Sequence, residues 1–166
     1  GSKATLKYLF EIKEVLEEVG KENSKVELCI IADVFFDLKN MPVDKRKWSP
    51  ESEASDLLHC DIGLAPLPDN RFTRGKCGFK ILQYFAAGLP TIASPVGVNS
   101  DLIRNSRAGT VAGTLKQWKE EITRMINDAT LRETMSKNAR DFVGQYDLSE
   151  LSERFCKIIQ DNLRKG

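Results

Sequence analysis

Hydrophobic positions near the start of the chain recur every three or four residues, which is the period of an amphipathic helix. The pattern predicts one helix over residues 5–19, with Gly20 as the residue that ends it. Residues 26–32 are almost entirely apolar, as a strand covered on both faces of a sheet must be. A turn and a short strand follow near Val43, and Ser49-Pro50-Glu51 is typical of a helix start.

The central stretch, residues 66–97, continues this alternation. An apolar strand over residues 61–67 leads into a basic loop, a helix from about Gly78 to Gly88, and a strand over residues 91–94. A short helix over 99–105 and a strand over 109–112 come next. Three helices close the chain, each with a predicted capping box, beginning at Thr114, Thr130 and Asp147. Each also has a predicted apolar stripe, in order Trp118/Ile122/Met125/Ile126, Leu131/Met135/Ala139/Phe142 and Leu151/Phe155/Ile158/Ile159.

Strands that alternate with helices predict an α/β fold, a doubly wound Rossmann-like parallel sheet flanked by helices, with a helical C-terminus. No repeat or linker interrupts the pattern, so we expect residues 1–166 to form a single domain. Such folds usually begin with a strand, and here the first element is a helix. We therefore expect a sheet that lacks its first strand, an apolar groove in that place, and self-association through it.

Composition narrows the range of functions. The chain is 41% hydrophobic and 30% charged, and its formal net charge is +1, so no overall positive field favours nucleic acid. Its four cysteines, Cys29, Cys60, Cys77 and Cys156, form no C-x-x-C pair. With no signal-like segment, this indicates reduced thiols in the cytoplasm. Cys77 differs from the others because it lies in the basic loop.

The basic loop is the strongest candidate for chemistry. Arg74, Lys76 and Lys80 are interleaved with Gly75 and Gly78. Glycine allows a phosphate to approach the backbone, the cations supply charge, and the start of the next helix adds free N–H groups. The alternative is a solvated basic loop, since neither G-x-x-x-x-G-K-[ST] nor G-x-G-x-x-G is present.

Helical spacing assigns the side chains of this central helix to two faces. Phe79, Leu82, Phe85 and Ala86 are expected to face the core. Lys80 and Gln83 share another face, with the amide one turn deeper than the ammonium. An amide at that depth can bind a ribose diol, although Gln83 could equally be a surface glutamine.

A family resemblance appears at this point. The segment Gly78-Phe-Lys-Ile-Leu-Gln-Tyr-Phe-Ala-Ala-Gly-Leu-Pro-Thr-Ile-Ala-Ser94, followed by Pro95-Val-Gly97, resembles the C-terminal donor domain of retaining group 1 glycosyltransferases with the GT-B fold. Trp48-Ser-Pro-Glu51 and Cys60-Asp-Ile-Gly-Leu-Ala-Pro66 are similar to the helix start and strand that precede this motif in the family. The resemblance covers nearly the whole chain.

The resemblance implies roles for several residues. The loop through Gly78 and Phe79 would lie against the donor diphosphate, with Arg74, Lys76 and Lys80 as cations. Gln83 stands where the family usually has a glutamate that binds ribose, and Gly75 where it has the acid that contacts the donor sugar. The base would lie near residues 43–48, where Trp48 could stack on it or belong to the core.

The resemblance also implies an activity. It indicates transfer of a hexosyl group from a nucleotide-sugar, with retention, to a sugar or lipid-linked acceptor held by an N-terminal domain outside this chain, so that residues 1–166 would be inactive alone. No cofactor or metal ion is expected besides the donor substrate. Cytoplasmic localisation follows, with peripheral attachment to the inner membrane in the longer protein, and polysaccharide biosynthesis is the expected setting.

Two alternatives remain open. A dehydrogenase-like nucleotide-binding domain is opposed by the missing glycine fingerprint. A non-catalytic relative, acting in binding or as a scaffold, is favoured by the loss of both acids at Gly75 and Gln83. Asp33 and Asp37 are not arranged as in a phospho-acceptor domain. His59 has no second metal ligand nearby in sequence, so a structural role is expected.

Overall fold

In the computed structural model, which describes residues 3–163 and side chains from residue 6, helices and parallel strands alternate as expected. The helices are α1 Lys3–Phe10, α2 Lys13–Glu22, α3 Glu53–Leu57, α4 Arg71–Arg74, α5 Phe79–Ala86, α6 Asn99–Ser106, α7 Leu115–Asn127, α8 Ala129–Val143 and α9 Leu148–Leu163. The strands are β1 Leu28–Ala32, β2 Val43–Lys47, β3 Gly63–Ala65, β4 Thr91–Ala93 and β5 Gly109–Val111. A 3-10 turn, Gly144–Tyr146, joins α8 to α9.

The strands form two parallel sheets rather than the single sheet that was predicted. β1 pairs with β2, and β4 lies between β3 and β5 in the second sheet. In the part of the chain that the structure describes, no ladder joins β1 to β3. A mainly apolar cavity of about 860 Å³ lies between these two strands, in keeping with the predicted groove.

The hydrophobic core falls into two clusters. The larger one joins α2, β1 and α7 with one residue of β4, and α7 contributes Trp118, Ile122 and Met125, as its apolar stripe predicts. The smaller one surrounds α5, where Ile81 and Phe85 are fully buried and Phe85 meets Phe142 edge to face at 6.1 Å. This second cluster fixes α5, and with it the basic loop.

The first helix is two helices, and Gly20 does not end the second. Backbone bonds from Glu11 to Tyr8 and from Ile12 to Leu9 span only three residues, so the chain tightens and breaks there. Gly20 lies inside α2, and a Cβ there would collide with the carbonyl of Asn40. The glycine therefore allows the loop after β1 to pack against the helix.

Two helix starts differ from the predictions, and a third start is capped differently. The helix expected at Ser49-Pro50 begins at Glu53, after a turn in which Ser49 Oγ accepts the N–H of Ser52 at 3.2 Å. Helix α8 is capped by Asp128, which accepts the N–H of Leu131 at 2.8 Å, so the predicted Thr130 box is wrong. Helix α9 begins directly after Asp147 as predicted, with Asp147 accepting the N–H of Ser149 at 2.9 Å. Of the three predicted capping boxes, the one between Thr114 and Gln117 is observed in full.

Helix α9 confirms the helical C-terminus, but its described side chains are all exposed, the predicted apolar stripe included. Cys156, which lies on this helix, is likewise exposed. Within residues 3–163, no helix is both long and apolar enough to cross a membrane.

Candidate functional site

The candidate site lies where β3 and β4 end and α5 and α6 begin. The N–H of Leu67, just after β3, donates to Ser94 Oγ at 2.9 Å, which fastens the basic loop to the end of β4. The buried Asn99, first residue of α6, donates from Nδ2 to the carbonyl of Ser94 at 3.3 Å. These contacts bring the starts of two helices to the carboxyl edge of the sheet, where ligands bind in open α/β folds.

Gly78 lets α5 begin in this position. Its φ of 71° lies in the left-handed region, and a Cβ there would collide with Leu102 of α6. The first backbone hydrogen bond of α5 runs from the N–H of Ile81 to the carbonyl of Gly78 at 2.9 Å, so helix geometry leaves the N–H groups of Phe79 and Lys80 without an acceptor inside the helix. Such a helix start stabilises an anion by roughly 0.3–2 kcal/mol.

The three candidate cations are held differently. Arg74 donates to both carboxylate oxygens of Asp69, at 2.6 and 3.0 Å. This pairing raises the pKa of Arg74 and lowers the pKa of Asp69, in each case mainly through the side-chain hydrogen bond. Arg74 is therefore engaged at the outside of the loop and does not line the cavity.

Lys76 and Lys80 line the cavity and lie over aromatic rings. The Lys76 ammonium is 5.4 Å from the Phe72 ring centroid and 5.8 Å from that of Tyr8. The Lys80 ammonium is 5.8 Å from the Tyr84 ring centroid. Among the described residues, neither has a carboxylate within 4.0 Å, so both charges remain available to an anion.

Gln83 and Trp48 both donate a hydrogen bond to the same carboxylate, that of Glu53, which was not identified as a candidate from the sequence. Glu53, at the start of α3, accepts the Nε2 hydrogen of Gln83 at 3.0 Å and the indole N–H of Trp48 at 2.8 Å. Both residues had been predicted near a nucleoside, and the structure brings them to one carboxylate. Trp48 is 38% exposed, so it is not a core residue, and Trp118 is the buried tryptophan.

The prediction that Phe79 faces the core is wrong. It is 63% exposed, and Ala86 is exposed as well, because α5 buries Ile81 and Phe85 against the smaller core cluster. Phe79 nevertheless lines the cavity beside Lys80. Most of the Phe79 side chain therefore lies in solvent at the start of α5.

The thiols and the histidine show no sign of a reactive centre. Burial raises the pKa of Cys29 to about 12, with the Cys60 thiol as the next contributor, so Cys29 stays protonated at neutral pH. Cys77 is exposed, and His59 Nδ1 lies 2.7 Å from the carbonyl of Ser55. Within the described residues, no three His, Cys, Asp or Glu side chains converge as metal ligands would.

The fold and site define a class: a Rossmann-like α/β domain with a cationic helix start at the carboxyl edge of parallel strands. Residues 57–142, just over half of the chain, match the model of the family "Glycosyl transferases group 1". The chain therefore belongs to the group 1 glycosyltransferase family.

Similar proteins agree with this family. A curated Dictyostelium discoideum protein, GDP-Man:Man(3)GlcNAc(2)-PP-Dol alpha-1,2-mannosyltransferase, is 25% identical over 105 residues, which cover 63% of this chain and 20% of the relative. The crystal structure of WaaG, a glycosyltransferase involved in lipopolysaccharide biosynthesis, superposes with a TM-score of 0.54 at 24% identity, over 72% of this chain and 31% of WaaG.

The calicheamicin glycosyltransferase CalG4 gives a TM-score of 0.51 at 19% identity, over 86% of this chain and 37% of CalG4. At these identities the two solved structures support the fold, which confirms the predicted α/β class. The chain spans a fifth of the curated relative and about a third of each solved chain.

Proposed function

We propose that residues 1–166 act as the donor-binding domain of a retaining hexosyltransferase and bind a nucleoside diphosphate sugar. The observation that carries this proposal is the α5 start, where Lys76, Gly78, Phe79 and Lys80 line one cavity together with the hydrogen-bonded pair Glu53–Gln83. Membership of a glycosyltransferase family supports it.

The cations and the helix start account for the chemistry. Departure of a nucleoside diphosphate leaves negative charge on the β-phosphate, and Lys80 with the N–H groups of α5 stabilises that charge electrostatically. A diphosphate held in this way needs no metal ion. The acceptor, a sugar or a lipid-linked sugar, binds to an N-terminal domain outside this chain, in the cytoplasm or at the inner face of a membrane, during polysaccharide synthesis.

The test is a calorimetric titration with UDP, GDP, ADP and CMP. GDP belongs in the panel because the Dictyostelium relative is named for GDP-Man. We expect one diphosphate to bind best and Lys80→Ala to weaken it about tenfold, the effect of losing one charge-assisted contact. Lys116→Ala, on the exposed first turn of α7, is the matched control. Equal binding by wild type and Lys80→Ala would contradict the proposal.

A non-catalytic nucleotide-binding role is the second candidate. Gly75 offers no side chain to a donor sugar, and Gln83 is an amide. Binding of a nucleoside diphosphate with no added affinity for any nucleotide-sugar would favour this role over transfer.

A further inference from the structure

Glu53 joins two parts of the site that are far apart in sequence. Its Oε1 accepts from the indole N–H of Trp48, and its Oε2 accepts from Gln83 Nε2, thirty residues along the chain. The half-buried Glu53 side chain lines the same cavity as Lys80 and Gln83. It is thus held from both sides at the cavity wall.

The hydrogen-bonding capacity of the two side chains differs. A carboxylate has about four lone-pair positions, so Glu53 keeps about two after accepting from Trp48 and Gln83. Gln83 donates an Nε2 hydrogen to Glu53. The side-chain carbonyl oxygen of Gln83 can therefore still accept a hydrogen bond from a ligand. A ribose diol presents two O–H donors, and a carboxylate accepts them more strongly than an amide does.

We propose that Glu53 binds the 2′- and 3′-hydroxyl groups of the donor ribose, and that Gln83 and Trp48 orient its carboxylate. This inference rests on the proposed function. The negative Glu53 repels phosphate, whereas Lys76 and Lys80 attract it. The ligand is therefore oriented with its ribose toward α3 and its diphosphate toward the start of α5.

Distances along α5 fit this orientation. Lys80 and Gln83 are three residues apart, which is about 4.5 Å along a helix axis at 1.5 Å per residue. A ribose and the phosphate attached to it can span such a separation. Glu53 Oε2 lies 3.0 Å from Gln83 Nε2. The Glu53 carboxylate is therefore next to Gln83, at the end of the site where the ribose would bind.

The test compares a ribonucleotide with its 2′,3′-dideoxy analogue on the same protein sample. The probes are the tightest-binding of UDP, GDP and ADP and the dideoxy form of that nucleotide. We expect wild type to favour the ribonucleotide about tenfold or more, as hydrogen bonds to a charged group predict. In Glu53→Gln the preference should fall below about threefold.

Two further variants make the test specific. Glu51→Gln removes a neighbouring carboxylate that does not line the cavity, and it should keep the wild-type preference. The exchange Glu53→Gln with Gln83→Glu moves the carboxylate to the other side of the pair and should recover the preference. Because each preference is a ratio within one sample, partial unfolding of a variant cancels.

The outcomes separate the two proposals. A Glu53→Gln protein that binds nucleotide with the wild-type ribose preference overturns the role of Glu53 and leaves the proposed function standing. An exchange variant that binds without recovering the preference also overturns it. Wild type that binds none of the nucleoside diphosphates overturns the proposed function, and the role of Glu53 with it.

Discussion

Gly75 and Gly78 stand three residues apart in the basic loop, and the backbone needs only one of them to be glycine. Gly78 has a φ of 71° and packs against Leu102, so a side chain there is both strained and crowded. Gly75 has a φ of −84°, and a Cβ there would meet only the carbonyl of Phe72 at 3.6 Å. The absence of a side chain at Gly75 is therefore not imposed by the fold.

We expect Gly78→Ala to destabilise the chain, because an L-residue in the left-handed region costs about 1–2 kcal/mol before any collision with Leu102 is counted. The measurement is urea denaturation followed by circular dichroism. A midpoint equal to that of wild type would contradict the left-handed conformation of Gly78.

Gly75→Glu places an acid where the family resemblance expects one. Its free energy of unfolding should stay within about 0.5 kcal/mol of wild type, as for other exposed substitutions. The same urea titration measures it, with Gly78→Ala as the contrasting variant. A loss comparable to that of Gly78→Ala would show that the loop tolerates no side chain at either position.

At the scale of elements, the carboxylate of Glu17 joins helix α2 to the loop after β1 through hydrogen bonds. Glu17 accepts the backbone N–H of Lys39 at 2.8 Å and that of Asn40 at 2.8 Å. These hydrogen bonds, the one from Lys39 first, lower the pKa of Glu17 below its ordinary value of 4.5. The loop carries the chain from β1 to β2, and therefore towards Trp48 at the site.

Stability should depend on the ionisation of Glu17. Because its pKa is lower in the folded state, its contribution is present above about pH 4.5, the ordinary value, and is lost as pH falls through the folded pKa. Wild type should therefore exceed Glu17→Gln in free energy of unfolding at pH 7, and the difference should shrink towards pH 3. Glu14→Gln, on the same helix, is the control. A difference that does not change with pH would contradict this role.

The sequence predicts elements better than it predicts their contacts. Apolar periodicity located α7 and its buried Trp118, Ile122 and Met125, since that information is local. The same reasoning placed Phe79 in the core, because helical spacing defines which residues share a face and not which face is buried. Tertiary packing determines which face is buried: Ile81 and Phe85 lie in the smaller core cluster, where the Phe85 ring contacts Phe142.

The candidate site shows the same limit. Lys80, Gly78 and Gln83 were found because charge, glycine and helical spacing occur together in one short segment. Glu53 was missed because its partners, Trp48 and Gln83, lie five positions before it and thirty positions after it. No local pattern reports that contact, and Ser49-Pro50-Glu51 drew attention only as a helix start.

At the scale of the whole molecule, the two sheets face each other across the apolar cavity. Exposed apolar surface of this kind favours association. We propose that two copies of the chain associate through the apolar wall of this cavity between β1 and β3, away from the charged start of α5, so the average mass by light scattering should rise with concentration. A monomer mass at every concentration would contradict this.

Two variants assign the associating surface. Ile62, half-buried, lines the cavity, and Phe155 is 64% exposed on α9. We expect Ile62→Glu to reduce association and Phe155→Glu to leave it unchanged, because a charge in the cavity opposes burial of its wall. The reverse result would assign the contact to the apolar face of α9.

The most direct test of nucleotide binding at the start of α5 is amide chemical-shift mapping during titration with the tightest-binding nucleoside diphosphate. We predict the largest changes at Gly78, Phe79 and Lys80, where the start of α5 lines the cavity, with smaller changes at Glu53 and Gln83. Changes centred on another element, such as α9, with Gly78–Lys80 unaffected, would contradict the account.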